Sequence, residues 1–119
     1  MESKPQKAID RKARMQLSPI HATYRPPEIR IHDFEEALIL HTPMDARAEA
    51  ARCLHCTNAP CQAACPLHND IGGALALLEA GNIAGAAQLY RETNPQPEAC
   101  GRLCPQSFCQ DACTLNKAG

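Results

Sequence analysis

The chain has 119 residues, enough for one small domain, or a domain with a tail, and too few for two ordinary cores. Its 12 Lys and Arg against 13 Asp and Glu give a formal charge of −1, which argues against non-specific nucleic-acid binding, a task for a dense basic surface. Tyr24, Phe34, Tyr90 and Phe108 are the whole aromatic complement and cannot dominate a core, so the eight cysteines are the natural candidates to hold the domain together.

Residues 1–30 carry seven Lys/Arg and three Asp/Glu, whereas 31–119 carry five and ten. With Pro5, Pro19, Pro26 and Pro27, residues 1–32 read as an extended basic arm. Composition leaves open whether that arm is a disordered tail or lies on a partner or on the acidic body. The N-terminus lacks a continuous apolar stretch of the secretory kind, and the longest apolar run, Ala74 to Leu78, is far short of the ~20 residues of a membrane span. No membrane span and a cytoplasmic location are therefore expected. In such a compartment structural disulfides are disfavoured, and thiols read first as metal or cluster ligands.

The body is assigned to residues 33–119. Asp33, with Glu36 three residues on, is expected to cap a short helix carrying Phe34, Ala37 and Leu38. Thr42, with Pro43 next and Asp45 at N3, caps a second, alanine-rich helix reaching about Arg52 and delivering Cys53. Its small residues suit close packing against another body. A helical hairpin follows. Asn69 or Asp70 starts its first helix, with Leu75, Leu77 and Leu78 as apolar bulk, and Gly81 ends it where a left-handed residue is needed. Asn82 caps the second helix, which runs until Asn94, Pro95 and Pro97 stop it. No segment alternates convincingly as a strand, so the fold class is all-α, a small helical domain.

The cysteines form two groups. Cys53, Cys56, Cys61 and Cys65 are spaced C-x2-C-x4-C-x3-C-P, and Cys100, Cys104, Cys109 and Cys113 are spaced C-x3-C-P-x4-C-x3-C. Structural zinc commonly uses two C-x2-C pairs per site and only one exists here. A zinc-stabilised interaction module is therefore the alternative reading. A thiol redox sensor would leave most of the eight cysteines unexplained. Three close cysteines, then a fourth followed by proline, matches the ferredoxin arrangement in which the fourth reaches across to the other cluster. Two [4Fe–4S] clusters are accordingly expected, with assembly and folding as one event. Four thiolates around a doubly positive core would take the chain from −1 to about −5. Arg52 and Arg102, beside ligand cysteines, could offset that charge. His55 and His68 flank cysteines but read as neighbours rather than ligands. His21, His32 and His41 carry no visible chemistry.

At 51–56 the chain reads Ala-Arg-Cys-Leu-His-Cys. Ala-Pro-Cys follows at 59–61, Cys-Pro at 65–66, a Gly81-Asn82 hairpin, and Cys-Gly-Arg-Leu-Cys-Pro at 100–105. From about Asp33 to Leu115 this resembles the N-terminal iron–sulfur domain of the glutamate synthase small subunit and dihydropyrimidine dehydrogenase family. The resemblance implies two [4Fe–4S] clusters relaying single electrons between a flavin that is reduced by NAD(P)H and a second redox centre. It implies a crossed ligand set: Cys53, Cys56, Cys61 and Cys113 on one cluster, and Cys65, Cys104 and Cys109 on the other. In dihydropyrimidine dehydrogenase the remaining corner is a glutamine well downstream of the last cysteine. Only six residues follow Cys113 here, so Cys100 is the natural substitute, with Glu98, Gln106 or another chain's residue as weaker choices. No nucleotide-binding glycine motif is present, since Gly72-Gly73 opens a helix without a preceding strand. FAD and NAD(P)H are therefore expected on a flavoprotein partner, with a further redox subunit beyond. No residue is read as catalytic.

Overall fold

The computed structural model describes residues 8–118. Residues 1–7, with Pro5, and Gly119 lie outside the described residues. The domain is all-α but for one two-stranded ladder. Its centre is three helices: α3 (Pro43–Ala50), α5 (Ile71–Glu79) and α6 (Ile83–Arg91), with α5 packed against both others.

Each of these helices begins where a side chain satisfies an orphan N–H. Thr42 accepts from Asp45 N–H at 3.1 Å, Asp70 from Gly73 N–H at 2.9 Å, and Asn82 from Gly85 N–H at 2.9 Å. The α5–α6 turn closes on Gly81, whose φ of 87° allows Gly81 N–H to reach Leu78 O and Asn82 N–H to reach Leu77 O, both at 2.9 Å. Arg47 on α3 donates to Glu79 O at 3.2 Å, tying α3 to the end of α5. The alanine-rich helix thus finds its packing partner within this chain, with Ala50 fully buried.

The apolar core is meagre. Ala50, Leu54, Ala74 and Ala86 are the buried hydrophobic residues among those described, and no large side chain is fully enclosed. So little apolar burial leaves a domain of this size short of stabilisation without a further staple.

Two expectations change. Residues 33–37 form no helix. Asp33 is taken by Arg25 (2.9 and 2.6 Å) and also accepts from Glu35 N–H at 3.0 Å, so its carboxylate shapes a turn instead of capping a helix. Leu38–Ile39 (β2) then pairs antiparallel with Thr23–Tyr24 (β1), a ladder too short to show as alternation. Around it, α1 (Arg11–Met15) and α2 (Pro27–Arg30) interrupt the proline-rich arm, and α1 lies on the body.

Candidate functional site

The first cysteine group wraps the end of α3 and the short α4 (Pro60–Ala64). His55, Ala59 and His68 all have left-handed backbone, with φ of 49°, 38° and 52°. They are the positive-φ non-glycine residues among those described, at about 1–2 kcal/mol each. That strain is concentrated where the chain coils between cysteines. One result is visible: His55 N–H faces Cys53 Sγ at 3.5 Å. Burial pushes the Cys53 thiol up, against the pull of the His55 N–H, and Cys56 and Cys113 add to the rise. Cys61 is pushed up in the same way by burial, then by Cys113 and Cys53.

The second group lies on α7 (Pro97–Leu103), α8 (Ser107–Gln110) and the start of α9 (Thr114–Lys117). Contact between α4 and α8 brings the two sequence groups together. Burial, then Cys104 and Cys65, push the Cys109 thiol up. Cys56 Sγ lies 3.5 Å from Thr114 Oγ1, beside Cys113. The two cysteine groups are thus brought together from distant parts of the sequence. Cys100 Sγ lies 3.9 Å from Asn94 Oδ1, the buried polar side chain of the domain.

Tyr90 on α6 is partly buried. Burial, reinforced by Cys109, Cys61 and Cys65, pushes its phenol up to about 12, so it stays protonated. In the sequence it is one of four aromatic residues, within the second helix of the hairpin. A mid-helix tyrosine carries no mark of that burial.

The positive charge near the site does not come from where the sequence suggested. Arg52 pairs with Glu49 and donates to Leu17 O, while Arg102 pairs with Glu36 at 2.7 Å. Both are matched by carboxylates of this chain. Arg11 and Arg14 of the arm reach the Cys53 loop instead, and the only sequence signal for that was the arm's excess of basic residues. His55 Nε2 lies 3.8 Å from Glu79 Oε2.

The donor set fits an iron–sulfur core, and soft thiolates of this kind also hold zinc. All eight donors are free thiols, the soft ligands that iron–sulfur clusters use. Cys53, Cys56, Cys61, Cys104, Cys109 and Cys113 border one cavity of about 1040 Å³. Among the described residues no three His, Cys, Asp or Glu side chains converge on one point.

Residues 30–119 match the family described as dihydropyrimidine dehydrogenase domain II, 4Fe-4S cluster. The chain belongs to that family. It is 47% identical over 93 residues to a glutamate synthase (NADPH) small chain of Halomonas elongata, covering 77% of this chain and 20% of that protein. The corresponding Escherichia coli K12 protein is 44% identical over 93 residues, with the same coverage of 77% and 20%. An NAD-dependent dihydropyrimidine dehydrogenase subunit PreT of E. coli O157:H7 is 43% identical over 74 residues, 61% of this chain and 18% of that one. The chain therefore spans about a fifth of the length of these curated relatives. As a member of the family it is a 4Fe-4S iron–sulfur domain. No helix of the described residues is long and apolar enough to cross a membrane.

Proposed function

We propose that this chain relays single electrons through two [4Fe–4S] clusters inside a larger oxidoreductase. Cys53, Cys56, Cys61 and Cys113 hold one cluster, and Cys65, Cys100, Cys104 and Cys109 the other. Residues 33–119 are the cluster domain, and 1–32 are its arm. FAD and the NAD(P)H site belong to a flavoprotein partner, and a further redox subunit completes the path; an NADPH-dependent glutamate synthase chain and an NAD-dependent dihydropyrimidine dehydrogenase subunit among the relatives support a nicotinamide electron source. The complex works in the cytoplasm.

The observation carrying this reading is that the two sequence groups meet. α4, which holds Cys61, packs against α8, which holds Cys109, and Cys56 Sγ lies 3.5 Å from Thr114 Oγ1, beside Cys113. A crossed set has each centre drawing ligands from both ends of the domain, which ties helix packing to ligation. When bound, the clusters supply reversible one-electron capacity. The chain's own residues gather the thiolates, limit water at the half-buried sulfurs and donate an N–H to Cys53. Exposed Leu103 and Phe108, flanking Cys104 and Cys109, offer apolar surface to a partner.

Anaerobic reconstitution with iron and sulfide tests the proposal. About eight irons and eight sulfides per chain are expected from two cubanes, together with a brown colour that dithionite bleaches. Stoichiometric zinc without acid-labile sulfide would establish the zinc-stabilised interaction module instead. In the loaded chain, Cys113→Ser and Cys65→Ser should each remove half the iron.

A further inference from the structure

The loop from Ala51 to His55 turns its carbonyls one way and an N–H the other. Arg14 Nη1 donates to Ala51 O at 2.6 Å and to Cys53 O at 3.0 Å. Arg11 donates from Nε to Leu54 O at 3.0 Å and from Nη2 to His55 O at 3.3 Å. Both arginines project from α1, whose first turn is fastened by Asp10 accepting from Ala13 N–H at 3.0 Å. Arg14 is braced in turn by Glu79, at 3.1 and 2.7 Å. Further along, Ile20 N–H donates to Glu49 at 2.8 Å, so the arm is fastened at both ends of this stretch.

The peptide unit joining Leu54 to His55 is consequently held at both poles. Its carbonyl faces the Arg11 guanidinium, and its N–H faces Cys53 Sγ at 3.5 Å. His55 takes up left-handed backbone at this point, φ 49°, a conformation uncommon for a non-glycine residue. A cation on the carbonyl also polarises the amide, strengthening its donation to a thiolate at the far end.

We propose that Arg11 and Arg14 are positioning residues, a strap that aims the Leu54–His55 amide at the Cys53 sulfur and so secures the first cysteine group and not the second. Among the described residues no arginine of the arm hydrogen-bonds to the second group's segment, whose own Arg102 donates to Glu98 O at 3.0 Å. Cys104 and Cys109 sulfurs lie 3.8 and 3.7 Å from the carbonyl oxygens of Pro105 and Gln106, and Arg102 is engaged by Glu36. The strap also lies outside residues 30–119, the stretch that defines the family. The inference rests on the two-cluster reading for what the first group holds.

The test uses the full chain, reconstituted without air, as wild type, Arg11→Gln, Arg14→Gln and Arg30→Gln. Arg30 lies on the same arm over the Tyr24 ring, 5.6 Å from its centroid, so its loss removes equal charge away from the loop. With a chelator, half the iron should leave Arg11→Gln and Arg14→Gln about 10-fold faster than wild type, as for other residues that orient ligands, and the other half at the wild-type rate. Arg30→Gln should match wild type. Equal acceleration of all the iron, or of none, overturns the strap. Should the glutamine variants fail to load, Arg11→Lys takes their place, and again only half its iron should be labile. Hydrogen exchange at the His55 amide reports the strap separately. Protection present in wild type and lost in Arg11→Gln supports it even in a zinc-loaded chain, where the two-cluster reading itself would have failed.

Discussion

From Ala50 through Cys56 no residue is exposed, whereas from Gly101 through Phe108 every residue is. The first stretch carries Cys53 and Cys56, and the second carries Cys104, flanked by Cys100 and Cys109. The first is enclosed by α3, by α5 and by the arm. The second rides on two short helices that lack side-chain caps, against α4 on one side. The difference teaches how the domain divides its labour. The chain preorganises one ligand loop, accepting left-handed strain there, and leaves the other to be ordered by what it binds.

Removing the inorganic core should expose that division most strongly. Anaerobic chelation of the loaded chain is expected to abolish amide protection across residues 97–118, while α5 and α6 keep part of theirs. Hydrogen exchange followed along the sequence reads this directly. Equal loss in both regions would mean that the first loop is no better built than the second. Unchanged helicity and melting would mean that ligation does not fold the domain at all.

The next effect strikes the packed side alone. Ala74 on α5 is 1% exposed, and Ala74→Leu must force apart the helices around it, a cost of about 1–3 kcal/mol. Leu103→Ser, on the open side, should stay within about 0.5 kcal/mol. Denaturant unfolding of the loaded chains gives both numbers, and comparable losses would erase the contrast.

The same contrast governs what could be read in advance. Thr42, Asp70, Gly81 and Asn82 announced their helices because caps and a left-handed turn are local chemistry, complete within a few residues. The cysteine spacing and the family resemblance were legible for the same reason. Asp33 carried an equally local cap signal and lost to Arg25, eight residues upstream, and the ladder of Tyr24 with Leu38 depended on a pairing no local pattern encodes. The strap was hidden more deeply. Arg11 and Arg14 meet carbonyls about 40 residues away, and backbone oxygens look alike in any sequence. The burial of Tyr90 shows only once α6 has folded against α5.

A smaller effect probes the hinge of the packed side. At Gly81 an added Cβ would sit 3.6 Å from Arg47, ordinary contact, so the cost of Gly81→Ala lies in its φ of 87°. About 1 kcal/mol is expected from unfolding, with iron content unchanged. A loss of iron would show that the α5–α6 turn is coupled to ligation more tightly than packing alone implies.

The smallest effect falls on the β1–β2 hairpin, which lies outside both cysteine stretches. The Arg25 guanidinium beside Asp33 holds its carboxyl below the ordinary value, with help from the Glu35 N–H. A depressed carboxylate stabilises the fold at pH above its unfolded value of about 3.9, and that contribution fades as pH falls through the lower folded value. Since the pair sits at the surface, salt should weaken it as well. Carbon-detected titration of Asp33 should give a midpoint below that of an unstructured aspartate, and the Arg25 N–H bond to Ala37 O, 2.8 Å, should loosen over the same range. Asp33→Asn should flatten the response while leaving both thiol groups and their iron untouched. An effect on iron would mean that Arg102, through Glu36 in this same loop, links the hairpin to the second cysteine stretch.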